Sequence, residues 1–229
     1  MYRMKTQFSL TTLLLALVLL PSCARKNYKA SFFEEQTRDH KIIAILPPEM
    51  IFTGTHPKEL TAEDIKRIEE DESSLFQTSL FNGILRHANT SRYYTEVAVQ
   101  DISTTLGLLE KNNISIRGSW REDDRKLADI LGVDAVVRMR VQKKRYMSDL
   151  ASLGIDLGQQ VLSQLGNGNF PYISNKTNDI YASCNVVSNG QTLWNDHYKR
   201  STSYNAPAED VIYDITENFG KRFPYRKKR

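Results

Sequence analysis

The sequence predicts a single α/β domain, a mixed sheet of about five strands flanked by helices, preceded by a lipoprotein-type signal peptide. Three observations carry this. The run KIIAILPP, Lys41 to Pro48, gathers five apolar residues and stops them with two prolines, as a strand buried on both faces would. Further on, a helical stretch closes at Gly132 and Ala135 to Val141 follows at once as a strand, giving a βαβ-like layer. Asn189-Gly190 then sits between two alternating runs, the strongest short-range signal for an antiparallel hairpin.

A chain of 229 residues with 40% hydrophobic content suffices for one domain and a tether, not two domains. Its first distinctive stretch is LTTLLLALVLLPSCARK, Leu10 to Lys26. The apolar run from Leu10 to Leu20 is eleven residues, whereas a helix needs roughly 20 to cross a bilayer. Arg3 and Lys5 precede it, and Pro21 and the small Ser22 follow, which is the order of a secretory signal over residues 1–22. Leu20 to Cys23, LPSC, resembles the bacterial lipobox, and that resemblance makes Cys23 the lipidated first residue of the mature protein. The alternative is a soluble secreted protein with a cysteine near its cleavage site.

Cysteine usage agrees with lipidation. The one other cysteine is Cys184, so a thioether on Cys23 excludes a disulfide within the chain. Cys184 lies in DIYASCNVV, where a free cysteine acts as a small buried hydrophobe. A lipoprotein terminus carries several acyl chains, palmitate among them, and at ~0.8 kcal/mol per buried CH₂ they anchor stably where a single myristoyl would not. Residues 23–40 read as lipidated terminus and tether. Ala24 in place of aspartate implies, by resemblance to enterobacterial sorting, the outer membrane.

The formal charge of +4 is unevenly spread. Without Arg3 and Lys5 the mature part carries +2, and the last nine residues, KRFPYRKKR, hold six positives, leaving −4 elsewhere. The basic balance therefore belongs to the C-terminus and makes no nucleic-acid face, a class that export also argues against.

The elements follow in order. After KIIAILPP comes a turn-rich stretch with Thr53, Gly54 and Pro57, and then Thr61 caps a helix whose first turn holds Glu63 and Asp64. Ile65, Ile68, Leu75, Leu80, Ile84 and Leu85 recur at helical spacing to about His87, and the acidic EEDES between them predicts a solvated face. YYTEVAVQDI alternates Val97 and Val99 with polar neighbours, a second strand. STTLGLLEKNN is a short helix capped by Ser103, and Arg121 to Leu131 is another. The hairpin around Asn189-Gly190 is followed by a helix with Asn205 as cap, Pro207 in its first turn and Gly220 as stop, turning Val211, Ile212, Ile215 and Phe219 inward.

The order KIIAILPP, long helix, LADILGVDAVV, hairpin with TLW, closing helix and FPY resembles the bacterial lipoproteins with a TolB N-terminal-like domain, the group of the CsgG and LpoB lipoproteins. The resemblance spans about Lys41 to Tyr225, with residues 226–229 left as a basic tail. It implies that fold, and a role in binding and assembly without catalysis.

Chemistry is weakly signalled. His40, His56, His87 and His197 form no pair at metal-ligand spacing, and there is no nucleophile elbow, phosphate loop or dinucleotide glycine pattern. No metal or cofactor is expected. Asp196 and His197 are neighbours on a strand, so they point to opposite faces and form no acid-base pair. Asp134 reads as a residue bonding the backbone of its tight turn, and Trp194 with Tyr198 as same-face packing.

Between residues 146 and 172, Leu150, Leu153, Leu157 and Val161 mark one helical face, with Gly154 and Gly158 at small-xxx-small spacing. The segment also alternates for a few residues, in the place where curli-type channels insert a membrane hairpin. The alternation fails at Gln159, short of the ~9 to 11 residues of a transmembrane strand. An amphipathic helix against the domain or a partner is the preferred expectation. The whole chain is then expected to be a periplasm-facing, lipid-anchored binding or assembly factor, with an envelope protein or its own copies as partner. A secretion-channel subunit is the alternative and a hydrolase the remote one.

Overall fold

The computed structural model describes residues 27–54, 61–88, 90–145, 178–202 and 207–229. Residues 1–26 and 146–177 lie outside it, and with them Cys23 and the expected interaction segment.

Two strands share one lane of the sheet. β2 (Ile42–Ile45) and β3 (Glu49–Gly54) both run parallel to β6 (Ala135–Arg145), β2 along its first half and β3 along its second. Pro47 and Pro48 break the lane because neither has an N–H to donate. The long helix α2 (Ala62–Ala88) repairs the break: Gln77 donates to the Ile45 carbonyl at 2.7 Å and Ser73 to the Pro48 carbonyl at 2.7 Å. The sequence implied a turn after the prolines; the strand resumes there because a helix supplies the missing donors.

Around this lane the sheet runs β1-β8-β7-β6-β2-β5, with β3 on β6 making seven strands among the described residues. β1 is Asn27–Lys29 and β5 is Ala98–Val99. β7 (Asn178–Ser188) and β8 (Gln191–Thr202) are the expected hairpin, turned by Asn189 at φ 51° and Gly190 at φ 74°. Both angles are positive, as a type I′ turn demands. The mixed α/β sheet is as expected, with more strands than five.

Helices cover both faces. On one side α2 and α6 (Ala208–Arg222) bury Phe76, Leu80, Ile84, Ile215 and Phe219 against Ile43, Ile45, Val137 and Trp194. On the other, α3 (Ile102–Lys111) and α5 (Asp124–Leu131) pack Leu109, Leu127 and Leu131 on Ala44, Leu46, Val136 and Val187. Alternate residues of β2 thus enter opposite cores, which is why its sequence is apolar throughout.

Several local expectations shift. Thr61 and Asp64 cap α2 reciprocally, each side chain accepting from the other's backbone N–H at 3.1 Å. EEDES is no solvated face: Glu69 and Glu70 pair with Arg117, Glu72 with Lys143, and Ser73 is buried. Leu75 is 54% exposed, and Phe76 takes the core position. Asp101, not Ser103, caps α3, and Asp123 caps α5, which starts at Asp124 rather than at Arg121. YYTEVAV divides into β4 (Tyr93–Thr95) and β5 in different sheets. Gly132 closes α5 at φ 64°, as expected. A short helix, α4 (Ile116–Ser119), lies before it.

Three boundaries are corrected. The stretch assigned to a tether already belongs to the domain: β1 pairs with β8, and α1 (Phe33–Gln36) places Phe33 fully buried against Tyr225, ring centroids 5.3 Å apart. That burial stabilises by about 2 kcal/mol. The expected basic tail is a strand, β9 (Arg226–Lys228), antiparallel to β4. Gly220 does not stop α6, which continues to Arg222; it sits where α6 crosses α2 and a Cβ would lie 2.7 Å from the Gly83 carbonyl. Asn205 lies outside the described residues.

Candidate interaction surface

The period of two along β6, β7 and β8 sorts side chains into two sets. Val137, Met139 and Val141, then Ile180, Ala182 and Cys184, then Trp194 are buried in the core beneath α2 and α6. The other set is polar: Arg138, Arg140 and Gln142 on β6, Tyr181, Ser183 and Asn185 on β7, Asn195, His197 and Lys199 on β8. α3 and α5 cover this face only beside Val136 and Val187. Beyond them, among the described residues, it is open.

Two adjoining depressions of about 600 and 450 Å³ share Arg140 and Ser183; the first also reaches Tyr198, Asn218 and Arg222 on the α6 side of the sheet. Gln142, Tyr181, His197 and Lys199 help line the first; Glu49, Trp120, Asp124 and Asn185 help line the second. Arg138 is committed to structure, paired with Asp124 and donating to the carbonyls of Ser119 at 3.0 Å and Trp120 at 3.2 Å. Arg140 meets Glu49 at 3.0 Å yet keeps 59% of its side chain exposed. Lys199 lies over the Tyr181 ring and 3.2 Å from Asp179, while Asn185 and Asn195 pair across the strands. The surface offers guanidinium, ammonium, amide, hydroxyl and imidazole groups in a shallow array, suited to a polar partner.

The histidine network at the start of β2 looks more like chemistry but is a clamp. His40 Nδ1 lies 2.7 Å from the Tyr225 hydroxyl, and Ser188 Oγ is 3.4 Å from His40 Nε2. Ser188 instead donates to the Asp134 carbonyl at 2.8 Å, and it and Tyr225 are buried beyond a substrate's reach. Burial holds the His40 imidazole below the usual histidine range, with Asp134 and Asp39 pulling the other way. Burial likewise pushes the Tyr225 hydroxyl up. Asp134 accepts from the N–H of Lys41 at 2.7 Å and of Ile42 at 2.9 Å, so it secures the neighbouring strand β2. Burial pushes its carboxyl up, but those two bonds and the charges of His40 and Lys41 win and hold it below the usual range.

Asp196 and His197 face opposite ways, as expected: Asp196 is fully buried and His197 exposed. Burial pushes the Asp196 carboxyl up while Arg222, 2.8 Å away, opposes this. Cys184, opposite Asp196 in the register, is fully buried and its thiol is pushed up by burial. Trp194 packs in the core and Tyr198 donates to Asp214 of α6 at 2.6 Å. Among the described residues no three His, Cys, Asp or Glu side chains form a metal-binding group, and no helix is long and apolar enough to cross a membrane.

The expected site residues Cys23, Leu150, Leu153, Gly154, Leu157, Gly158 and Val161 all lie outside the described residues. The open face was not anticipated, although its signal was present as alternating polar residues on three strands.

No family model matches the chain, and no curated protein does. Among solved structures it is similar to lipoprotein GNA1162 from Neisseria meningitidis, at 12% identity over 80% of this chain and 96% of that one, TM-score 0.38. It is also similar to the PelC dodecamer from Paraburkholderia phytofirmans (10% identity, 80% and 87% covered, TM-score 0.37). The C-terminal domain of LpoB from Salmonella enterica is a further likeness (9% identity, 75% and 93% covered, TM-score 0.33). At these TM-scores the likenesses carry no inference about function.

Proposed function

We propose that this protein is a lipid-anchored, non-catalytic binding or assembly factor of the bacterial envelope, held at the outer membrane through Cys23. It engages a polar protein partner through the open face of β6, β7 and β8. The observation that carries the reading is that face: a folded α/β domain leaves Arg140, Gln142, Tyr181, His197 and Lys199 together on one side of its central strands. Catalysis is disfavoured because the Ser188, His40 and Tyr225 network is buried and its serine is bonded elsewhere. The anchor rests on Leu20 to Cys23, LPSC. The segment from Leu150 to Val161 leaves from β6 and returns at β7, whose ends Arg145 and Asn178 are register partners, and is proposed to extend the same interface.

Two measurements test this. Radiolabelled palmitate should enter the native chain and not Cys23→Ala; equal labelling removes the anchor. A photocrosslinking residue at His197 should give one discrete adduct in envelopes, lost when Gln142→Glu is added, whereas the same residue at Tyr213, 52% exposed on α6, should give none. Equal adducts from both positions would show that the open face is not the binding surface.

A further inference from the structure

The first and last strands of the domain meet at one corner. Glu34 of α1 bridges Lys29 of β1, at 2.6 Å, and Lys227 of β9. Lys227 also lies 3.5 Å from Glu96, and the Arg229 N–H donates to the Arg92 carbonyl at 3.0 Å. Lys29, Arg92, Arg226, Lys227, Lys228 and Arg229 therefore share this corner with Glu34 and Glu96, in a chain whose mature part is otherwise net negative. Six cations face these two carboxylates and, on α1, that of Glu35.

The cations divide by role. Arg226 is structural: it donates to the carbonyls of His87 and Lys221 and lies 3.5 Å from the centroid of the Tyr93 ring. Lys227 is held by its two carboxylates. Arg92 and Arg229 are exposed and, by the alternation of β4 and β9, share the face of Lys227, whereas Lys228 lies on the opposite face with Tyr93. Tyr94, 38% exposed, is the register partner of Lys227 and lies on the same face as Arg92 and Arg229; Phe32, 39% exposed, immediately precedes α1, which Glu34 ties to Lys227. Exposed cations with partly exposed aromatic rings suit the boundary between headgroups and acyl chains, where aromatics anchor and basic residues meet anionic lipid.

Position selects the partner. Asn27 follows Cys23 by four residues, which span at most about 14 Å. A domain tethered that closely stays within about a Debye length or two of the bilayer, where surface charge is felt. We propose that this corner, formed by α1, β4 and β9, is a docking surface for anionic phospholipid headgroups and fixes how the domain sits on its membrane. The inference rests on the anchored reading above for its geometry, and its chemistry is that of the phosphodiester.

The test uses the full chain reconstituted in vesicles of phosphatidylcholine alone or with about 30% phosphatidylglycerol, read by amide hydrogen exchange. Exchange at residues 92–95 and 226–229 should slow about tenfold with phosphatidylglycerol, and the protection should vanish between about 0.05 and 0.5 M salt. Arg92→Glu with Arg229→Glu should abolish it, while the matched charge change Lys111→Glu with Arg121→Glu, at exposed sites elsewhere, should not. Protection that is equal in both lipids, or unaffected by the corner variant, overturns the proposal, as does protection that appears only when another envelope protein is added. Intact mass reports separately whether Cys23 carries acyl chains. A lipidated chain without the protection sinks the docking surface alone; protection in an unlipidated chain sinks the anchor alone.

Discussion

Gly83 and Gly220 meet backbone to backbone where α2 crosses α6: a Cβ on Gly220 would lie 2.7 Å from both the carbonyl carbon and the oxygen of Gly83. Neither helix can yield without moving the layer it packs on. Gly220→Ala should therefore destabilise the domain by about 1 to 3 kcal/mol despite the better helix former. A Cβ on Gly83 comes no closer than 3.2 Å, to the Thr216 carbonyl oxygen, and the gain of about 1 kcal/mol in helix propensity should leave Gly83→Ala near neutral. Urea unfolding of the two variants checks the order; equal stabilities would mean that the crossing is looser than described.

Asp134 should be a structural hinge pin with an acid-labile contribution. Asp134→Ala leaves the N–H groups of Lys41 and Ile42 without their acceptor and should cost about 1 to 3 kcal/mol. Because its folded pKa is held down, the carboxylate's contribution is present above about pH 4 and is lost as pH falls through the folded value. The variant's stability should consequently fall less steeply than the native protein's in that acid range, measured by thermal unfolding in a pH series.

His40 acts at higher pH with the same sign. Its folded pKa is depressed, so the unfolded chain takes up a proton first as pH drops below about 6.5, and stability declines from there through the folded value. His40→Asn can still bond the Tyr225 hydroxyl but carries no titrating group. Its unfolding free energy should change less between pH 7 and pH 5 than that of the native chain, and an unchanged slope would assign the decline to another group.

Asp196 and Arg222 make a pair of unequal exposure, the carboxylate fully buried and the guanidinium one-third exposed. Arg222→Met strands the buried charge and should cost about 2 to 4 kcal/mol. Asp196→Asn should cost less, since burial already favours the uncharged form. Adding Asp196→Asn to Arg222→Met should recover at least half of the loss, a double-mutant result that additive effects would contradict.

Much of the architecture was legible because it is written in local terms. The double-sided apolar run of β2, the Gly132 cap before β6 and the Asn189-Gly190 turn each declare themselves within about ten residues. What stayed hidden depends on partners distant in sequence. β3 exists because Gln77 and Ser73 satisfy a broken lane, and α1 because Phe33 finds Tyr225. Gly220 looked like a stop signal because its contact, Gly83, lies on another helix. The open face was hidden in the same way: each strand's polar residues are visible singly, but only the register of β6, β7 and β8 assembles them.

The burial of Tyr225 between Phe33, His40 and Phe223 also sets the order of events in time. Phe33 and Tyr225 are separated by nearly the whole described chain, so closing that contact requires one of the longest loops the domain makes. The β7–β8 hairpin is local and can form early, whereas the corner joining α1 to β9 must be among the last parts to close. A chain in which Tyr225 has not yet reached its place therefore has no seal for Phe33, and α1 stays undocked until β9 has found β4.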